Sequence, residues 1–377
     1  MHVPFYLNMA KERTITFIVT KDCQLVCKYC YLVGKNPNEK MTLDVAKKAV
    51  NKILENSYFF NEERVVWDFI GGEPLLEIDL ITNIVDYIEM RLEALSHHWK
   101  NNYGIRITTN GLLYKSQKVQ NFISKYQNIL NLSISIDGTK RKQDLNRVFP
   151  NGKGSYDIVS KSVKLWSRQF DNIATKMVIS SEDLPFVAES GIHLLELGII
   201  KLDMNLVVED VWHEGDDLIL EEQLIKFADE VIDKGFYKDR KLYIFEECIG
   251  HPFNPNFESN PCGSMMLSID SHGNFYTCLR FAQYSLRSKQ ARYIGNIKDG
   301  INYNLLRPFY IIDELSQSPL KCQMCDVATG CRWCPAENYD ASSTSTIFER
   351  STAICKMHKA RVRAKNYYWN KLKYKKA

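Results

Sequence analysis

Three cysteines, Cys23, Cys27 and Cys30, follow directly on an apolar run of strand length, and seven more lie between Cys262 and Cys355, with Cys248 alone between the two groups. Eleven cysteines in one chain limit the fold to one that can bring thiols together. The first residues, Met1 to Ala10, have no basic region followed by an apolar stretch, so no secretory signal is read. No apolar run approaches the roughly 18–20 residues of a membrane span. The expected compartment is therefore the cytoplasm, with no membrane partner, where thiols stay reduced. Their spacing then indicates metal or redox chemistry rather than a disulfide framework.

Such a motif needs a scaffold, and the hydrophobic periodicity supplies one. Short β-rich runs occur at residues 15–20, 65–70, 105–109, 132–137, 175–180 and 202–208, each of strand length. Helical patterns separate them at 43–54, with Thr42 as N-cap, and at 78–95, 116–126, 156–170, 186–197 and 218–234. Repeated βα units imply an α/β fold with a parallel sheet and right-handed crossovers. Units of about 35 residues favour a partial (β/α)6 barrel over a doubly wound sheet. In either architecture ligands gather where strands end. There the chain places Cys23 to Cys30, Gly71-Gly72-Glu73-Pro74, Thr109-Asn110-Gly111 and Asp137-Gly138.

Charge narrows the partners. The net +4 is too small for a nucleic-acid binder. Residues 356–377 hold nine Lys or Arg and no acid, leaving −5 for everything before them. This segment is either a solvated amphipathic helix with Tyr367, Tyr368 and Trp369 on its buried side, or a surface for an acidic peptide or nucleic acid.

Three thiolates from one loop can hold a 4Fe-4S cluster with one iron lacking a protein ligand. Zinc is the rival, but structural zinc takes four ligands and no His lies nearby. At this point the chain resembles the radical S-adenosylmethionine (SAM) enzymes, whose CxxxCxΦC loop is matched by Cys23, Cys27 and Cys30, with Tyr29 before the last cysteine. Gly71, Gly72, Glu73 and Pro74 look like the GGEP segment that receives the methionine amino group, and Ser135-x-Asp137-Gly138 looks like the ribose and carboxylate strand. The resemblance implies a cluster that reductively cleaves SAM to a 5′-deoxyadenosyl radical, which abstracts a substrate hydrogen. Glu73 would pair with the ammonium, and the Gly-Gly turn would let backbone approach the ligand. Arg147 would balance the carboxylate, Thr109 and Asn110 would face the same mouth, and Val178 would pack on adenine.

The later cysteines, Cys262-x10-Gly273-x4-Cys278, then Cys322-x2-Cys325-x5-Cys331-x2-Cys334 and Cys355, resemble the SPASM extension, which typically houses two auxiliary 4Fe-4S clusters. The last short interval holds two residues, Arg332 and Trp333, where the usual pattern has three. The resemblance implies one auxiliary cluster on Cys322, Cys325, Cys331 and Cys355. The other falls on Cys262, Cys278 and Cys334, with Cys248 as its fourth ligand or an open iron. That makes three clusters in all. Zinc in a rubredoxin-like knuckle pair is the alternative for these residues, and His272 and His358 read as surface or turn positions. The expected divisions are a barrel at 1–235, a SPASM domain at 236–355 and a basic helix or tail at 356–377.

Two branches of the family compete. Anaerobic sulfatase maturases form formylglycine and usually carry an acid straight after the Gly-x4-Cys cysteine, where this chain has Leu279. Peptide maturases of the thioether-forming, CXXX-repeat group resemble residues 20–34, 280–285 and 354–370. The latter resemblance implies a Cys-rich precursor peptide with a leader, and a flavodoxin- or ferredoxin-type electron donor. With Cys23 so early, no winged-helix leader-binding domain is expected before it. Leader recognition then falls to the barrel, the extension, a separate protein or the basic tail.

Overall fold

The computed structural model describes residues 12–253 and 265–376. Its strands are β1 (Glu12–Lys21), β2 (Asn36–Lys40), β3 (Arg64–Gly71), β4 (Tyr103–Thr109), β5 (Leu130–Ile134), β6 (Ala174–Ile179), β7 (Lys201–Leu206) and β8 (Lys241–Leu242). Helices α1 (Leu43–Leu54), α2 (Ile78–Ala94), α3 (Gln117–Tyr126), α4 (Lys140–Asn146), α5 (Tyr156–Gln169), α6 (Val187–Glu196) and α7 (Asp216–Asp233) alternate with them. The expected α/β pattern is present in order, and Thr42 caps α1 by accepting from the Val45 N–H at 3.3 Å. The short helix α4, which has too few apolar positions to register as periodic, was not anticipated.

The strands β1, β3, β4 and β5 pair in parallel, with Thr16, Asp68 and Arg106 side by side in register. One face of this sheet carries a run of aromatic rings, with Phe17 stacked on Phe69 and Trp67 edge-on to Trp99. The alternate positions are polar: Thr16 donates to Asp68 Oδ2 at 2.9 Å and Arg106 Nε to Asp68 Oδ1 at 2.8 Å. This alternation separates a helix-packed face from a polar interior. Between β5 and β6 the backbone ladder stops, and side-chain hydroxyls carry the junction. Ser133 Oγ donates to the Ala174 carbonyl at 2.7 Å and Thr175 Oγ1 to that of Ile134 at 2.6 Å. Strands β6, β7 and β8 then continue in parallel.

The C-terminal half is joined to this sheet. Strand β9 (Met266–Ile269) pairs in parallel with the free side of β1, and β10 (Asn274–Tyr276), β11 (Gly295–Asn296) and β12 (Gly300–Ile301) extend it antiparallel. Helices α8 (Tyr303–Tyr310), α9 (Glu314–Gln317), α10 (Leu320–Gln323) and α11 (Pro335–Ala341) follow, and α12 (Cys355–Lys376) closes the chain.

The basic C-terminal segment is not a free tail. Helix α12 lies on α7, where Arg363 meets Glu221 at 2.7 Å and Lys371 meets Asp229 at 2.6 Å. Tyr368 stacks on Phe245 at 4.6 Å, and Trp369 Nε1 donates to the Phe245 carbonyl at 2.8 Å. Tyr367, expected on the buried side, is instead partly exposed with its hydroxyl on Asp229. Lys375 also reaches Asp233 of α7, while Arg361 and Lys365 donate to the carbonyls of Tyr243 and Ile249. Among the described residues no helix is long and apolar enough to cross a membrane.

Exposed ion pairs are worth about 0–1 kcal/mol each, whereas truncating a buried aromatic costs about 3 kcal/mol or more. Denaturant unfolding should therefore show Tyr368→Ala losing about 3 kcal/mol and the Lys371→Ala/Lys375→Ala double variant no more than about 1–2 kcal/mol.

Candidate functional site

The loop after β1 carries Cys23, Cys27 and Cys30 and is fastened on both sides. On one side the Gly72 N–H donates to the Thr20 carbonyl at 2.9 Å and the Glu73 N–H to that of Asp22 at 2.8 Å. On the other, the Val26 N–H donates to the Val148 carbonyl at 2.8 Å and the Lys28 N–H to that of Asn146 at 3.1 Å. A Cβ on Gly71 would overlap the Thr20 carbonyl oxygen, and one on Gly72 the Asp22 carbonyl oxygen. The two glycines therefore permit a close approach between chain segments. Pro74 opens the buried one-turn helix that follows.

Glu73 is fully buried and accepts from Thr109 Oγ1 at 2.6 Å, the Asn110 N–H at 2.7 Å and the Leu75 N–H at 3.0 Å. Burial pushes its carboxyl up to about 7 despite these bonds. Asn110 in turn directs Nδ2 at Cys23 Sγ, 3.8 Å away. The ends of β1, β3 and β4 thus meet at one carboxylate beside the cysteine loop.

Asp137 lies at the end of the segment after β5 and is also fully buried. Its Oδ2 accepts from the Tyr29 hydroxyl and, at 2.9 Å, from Arg147 Nε, while Oδ1 accepts from the Val178 N–H at 3.1 Å. Asp137 and Tyr29, both expected at a ligand, bond to each other. Asp137 also positions Arg147, whose guanidinium lies 5.5 Å from the Tyr29 ring centre and draws the Cys27 thiol down against the burial that pushes it up to about 11. The strand expected at 132–137 is β5, which ends at Ile134. Ser135 donates its N–H to the Thr109 carbonyl at 2.8 Å and is half-buried. Val178 offers its carbonyl to the buried Lys142.

Four cysteines of the C-terminal half, Cys322, Cys325, Cys331 and Cys355, line one cavity of about 120 Å³ with Arg350 and His358. Arg350 is buried, donates to the Ser318 hydroxyl at 2.8 Å and pairs with Glu314 at 3.1 Å. Its charge opposes the burial that pushes Cys331 up to about 11. His358, read as a surface residue, is buried because α12 docks there, and its Nε2 lies 2.6 Å from the Val327 carbonyl. Burial pushes it down to about 4, so it is neutral at physiological pH.

Cys278 and Cys334 form a second group, close enough for the charge of one to act on the other. Cys248 is exposed, and Glu246, Arg361 and Lys365 are the charges that act on it. Cys262 lies outside the described residues. The ten described cysteines form no disulfide, and among the described residues no three His, Cys, Asp or Glu side chains surround a single-ion site. A polynuclear iron–sulfur group suits the donors better: half-buried thiols in groups of three and four, each beside a cation that offsets thiolate charge.

A larger cavity, about 580 Å³, opens between the cysteine loop and the C-terminal half. Tyr29, Cys30 and Tyr31 line it from one side, Glu182 and Glu209 from the barrel loops, and Ser285 and Arg287 from the extension. Both carboxylates are paired, Glu182 with Lys28 at 2.7 Å and Glu209 with Arg280 at 2.7 Å. Neither glutamate, nor Arg280 or Arg350, stood out in the sequence, because an isolated charge carries no spacing signal.

Residues 17–181 match the radical SAM superfamily, whose members use a 4Fe-4S cluster and SAM. The chain is 29% identical over 189 residues to the uncharacterized protein MJ0907 of Methanocaldococcus jannaschii, a stretch covering 50% of this chain and 60% of that protein. It is 24% identical over 215 residues to the radical SAM cyclopropyl synthase TigE of Paramaledivibacter caminithermalis, covering 51% of this chain and 42% of TigE. The fold resembles that of native anSMEcpe with bound AdoMet, with a TM-score of 0.67 at 17% identity over 95% of this chain and 99% of that one. The same protein has also been solved with AdoMet and the Kp18Cys peptide.

Two consequences can be measured. Gly72→Ala should displace the Asp22 carbonyl and with it the cysteine loop, seen as reduced iron and sulfide retention in a protein whose far-UV circular dichroism is unchanged. Glu73 has its folded value raised from 4.5 to about 7, so the folded state favours the protonated carboxyl. Stability is then greatest below the unfolded value and falls as pH rises through about 7, by about 3 kcal/mol at most. Anaerobic urea unfolding without SAM, at about pH 5 and pH 8, should show a larger drop for the wild type than for Glu73→Gln.

Proposed function

From a chain that carries a radical SAM domain, we propose a radical SAM peptide maturase of the SPASM type that forms thioether cross-links in a cysteine-rich precursor peptide. The observation that carries this reading is the cavity of about 580 Å³ bounded by the cysteine loop, the barrel loops and the extension. Its volume lies within the roughly 300–1,000 Å³ of ligand sites. The full-length fold likeness to a protein solved with AdoMet and a peptide supports it, as does the partial likeness to TigE, itself described as a cyclopropyl synthase.

In this reading Cys23, Cys27 and Cys30 hold the first cluster, Glu73 receives the SAM ammonium, and Arg147, held by Asp137, faces the carboxylate. Cys322, Cys325, Cys331 and Cys355 hold one auxiliary cluster, and Cys278 and Cys334 hold another with Cys262 and Cys248. When bound, the first cluster and SAM supply a 5′-deoxyadenosyl radical that takes one hydrogen atom from the peptide. Forming a C–S bond removes a C–H and an S–H hydrogen, so a proton and one electron must also leave. Auxiliary clusters held by these cysteines would offer an acceptor for that electron, and a flavodoxin- or ferredoxin-type donor would supply the one that cleaves SAM. Leu279 stands where sulfatase maturases carry an acid, and the carboxylates lining the cavity are paired, which favours sulfur retention over formylglycine formation.

Anaerobic reaction with SAM, reductant and a cysteine-rich peptide encoded beside the gene, followed by mass spectrometry, tests the proposal. Loss of two hydrogens per modified cysteine is expected, with sulfur retained and alkylation blocked, once fragmentation has excluded a disulfide. Loss of sulfur would assign formylglycine formation instead. Because Glu73 ionises on meeting the ammonium, SAM binding near pH 7 should release a proton, measurable by calorimetry in buffers of different ionisation enthalpy. Glu73→Gln should abolish that release and weaken SAM binding by about 10- to 100-fold, the worth of a charge-assisted hydrogen bond.

A further inference from the structure

Arg280 stands two residues after Cys278, and Glu337 three residues after Cys334, in the first turn of α11. The two side chains meet: Arg280 Nη2 lies 3.3 Å from Glu337 Oε2. The same nitrogen lies 2.7 Å from Glu209 Oε1 on the cavity wall, and the guanidinium lies 5.4 Å from the ring centre of Tyr31, the residue after Cys30. Glu337 is 5% exposed, so this charge pair acts through protein more than through water.

We propose that the Arg280–Glu337 pair draws the two cysteine loops together and sets the reduction potential of the auxiliary cluster bound by Cys278 and Cys334. The proposal rests on the reading that these two cysteines hold such a cluster. Cluster potentials follow net charge, hydrogen bonds to sulfur and solvent exposure, and a charge in a site of low dielectric acts more strongly than the same charge in water. A cation favours the reduced, more negative cluster. A carboxylate beside it has the opposite effect. The pair therefore makes the potential depend on two charges of opposite sign placed next to the two ligands, with the arginine shared by Glu209 of the cavity.

Potentiometry with electron paramagnetic resonance on the anaerobically reconstituted full chain provides the test, with iron and sulfide content measured for every variant. Arg280→Gln should shift one auxiliary signal to more negative potential and Glu337→Gln should shift the same signal to more positive potential. The double variant should return close to the wild type. Arg350→Gln, beside the other four cysteines, should move the other auxiliary signal and leave this one in place. If Arg280→Gln fails to load, Arg280→Lys, which keeps the charge, should load and stay near the wild-type potential, and Glu337→Gln still tests the sign. Shifts in the same direction, or no shift in fully loaded variants, overturn the proposal. Wild-type iron content and spectra that account for no cluster at Cys278 and Cys334 would overturn the underlying ligand reading instead.

Discussion

Gathering thiols in half-buried positions sets a charge problem that the rest of the structure is arranged to meet. A thiolate in low dielectric is costly unless a cation stands beside it, and each of these cysteine groups has arginine at hand: Arg147 near Cys27, Arg280 and Arg332 near Cys278, Arg350 near Cys331. Asp137, Glu337 and Glu314 pair with Arg147, Arg280 and Arg350 respectively, which fixes the guanidinium geometry and limits the excess positive charge before any cluster is present. Three loops distant in sequence have arrived at the same local solution.

The second constraint is mechanical. The cysteine loop is bonded through its backbone to the segment after β3 on one side and to residues 146–148 on the other. Its position is therefore decided by the turn after β3 and the end of α4 rather than by its own eight residues. Glu73 sits at this junction, a buried carboxylate that satisfies donors from two segments. Part of the stability that a well-packed neutral residue would give is forgone at this position, in the way functional sites often depart from local optimisation.

The alternation of strands and helices was legible in the sequence because each barrel unit is local: an apolar run, a turn and an amphipathic helix. The cysteine loop and the Gly-Gly-Glu-Pro segment were legible for the same reason, being short and contiguous. What was not legible depends on pairing across long separations. The hydroxyl-mediated junction between β5 and β6, the addition of β9 to β1, and the docking of α12 on α7 all join residues tens to hundreds of positions apart. The same cause explains the misplaced side chains. The pairing of Asp137 with Arg147 was not foreseen, and His358 was read as a surface or turn residue because nothing local shows that α12 will cover it. Arg280 and Arg350 gain meaning only from the carboxylates and thiols that the fold delivers to them.

The parallel pairing of β9 with β1 has a consequence for how this chain can be divided. Strand β1 is the most deeply buried part of the sheet, with Ile15, Phe17 and Val19 fully enclosed, and β9 occupies one whole side of its backbone from Thr14 to Phe17. A barrel half made without the later residues would present that side as an unpaired apolar edge, the template on which strands of separate molecules assemble. The cysteine-rich half thus serves as the barrel's edge protection as well as a carrier of thiols.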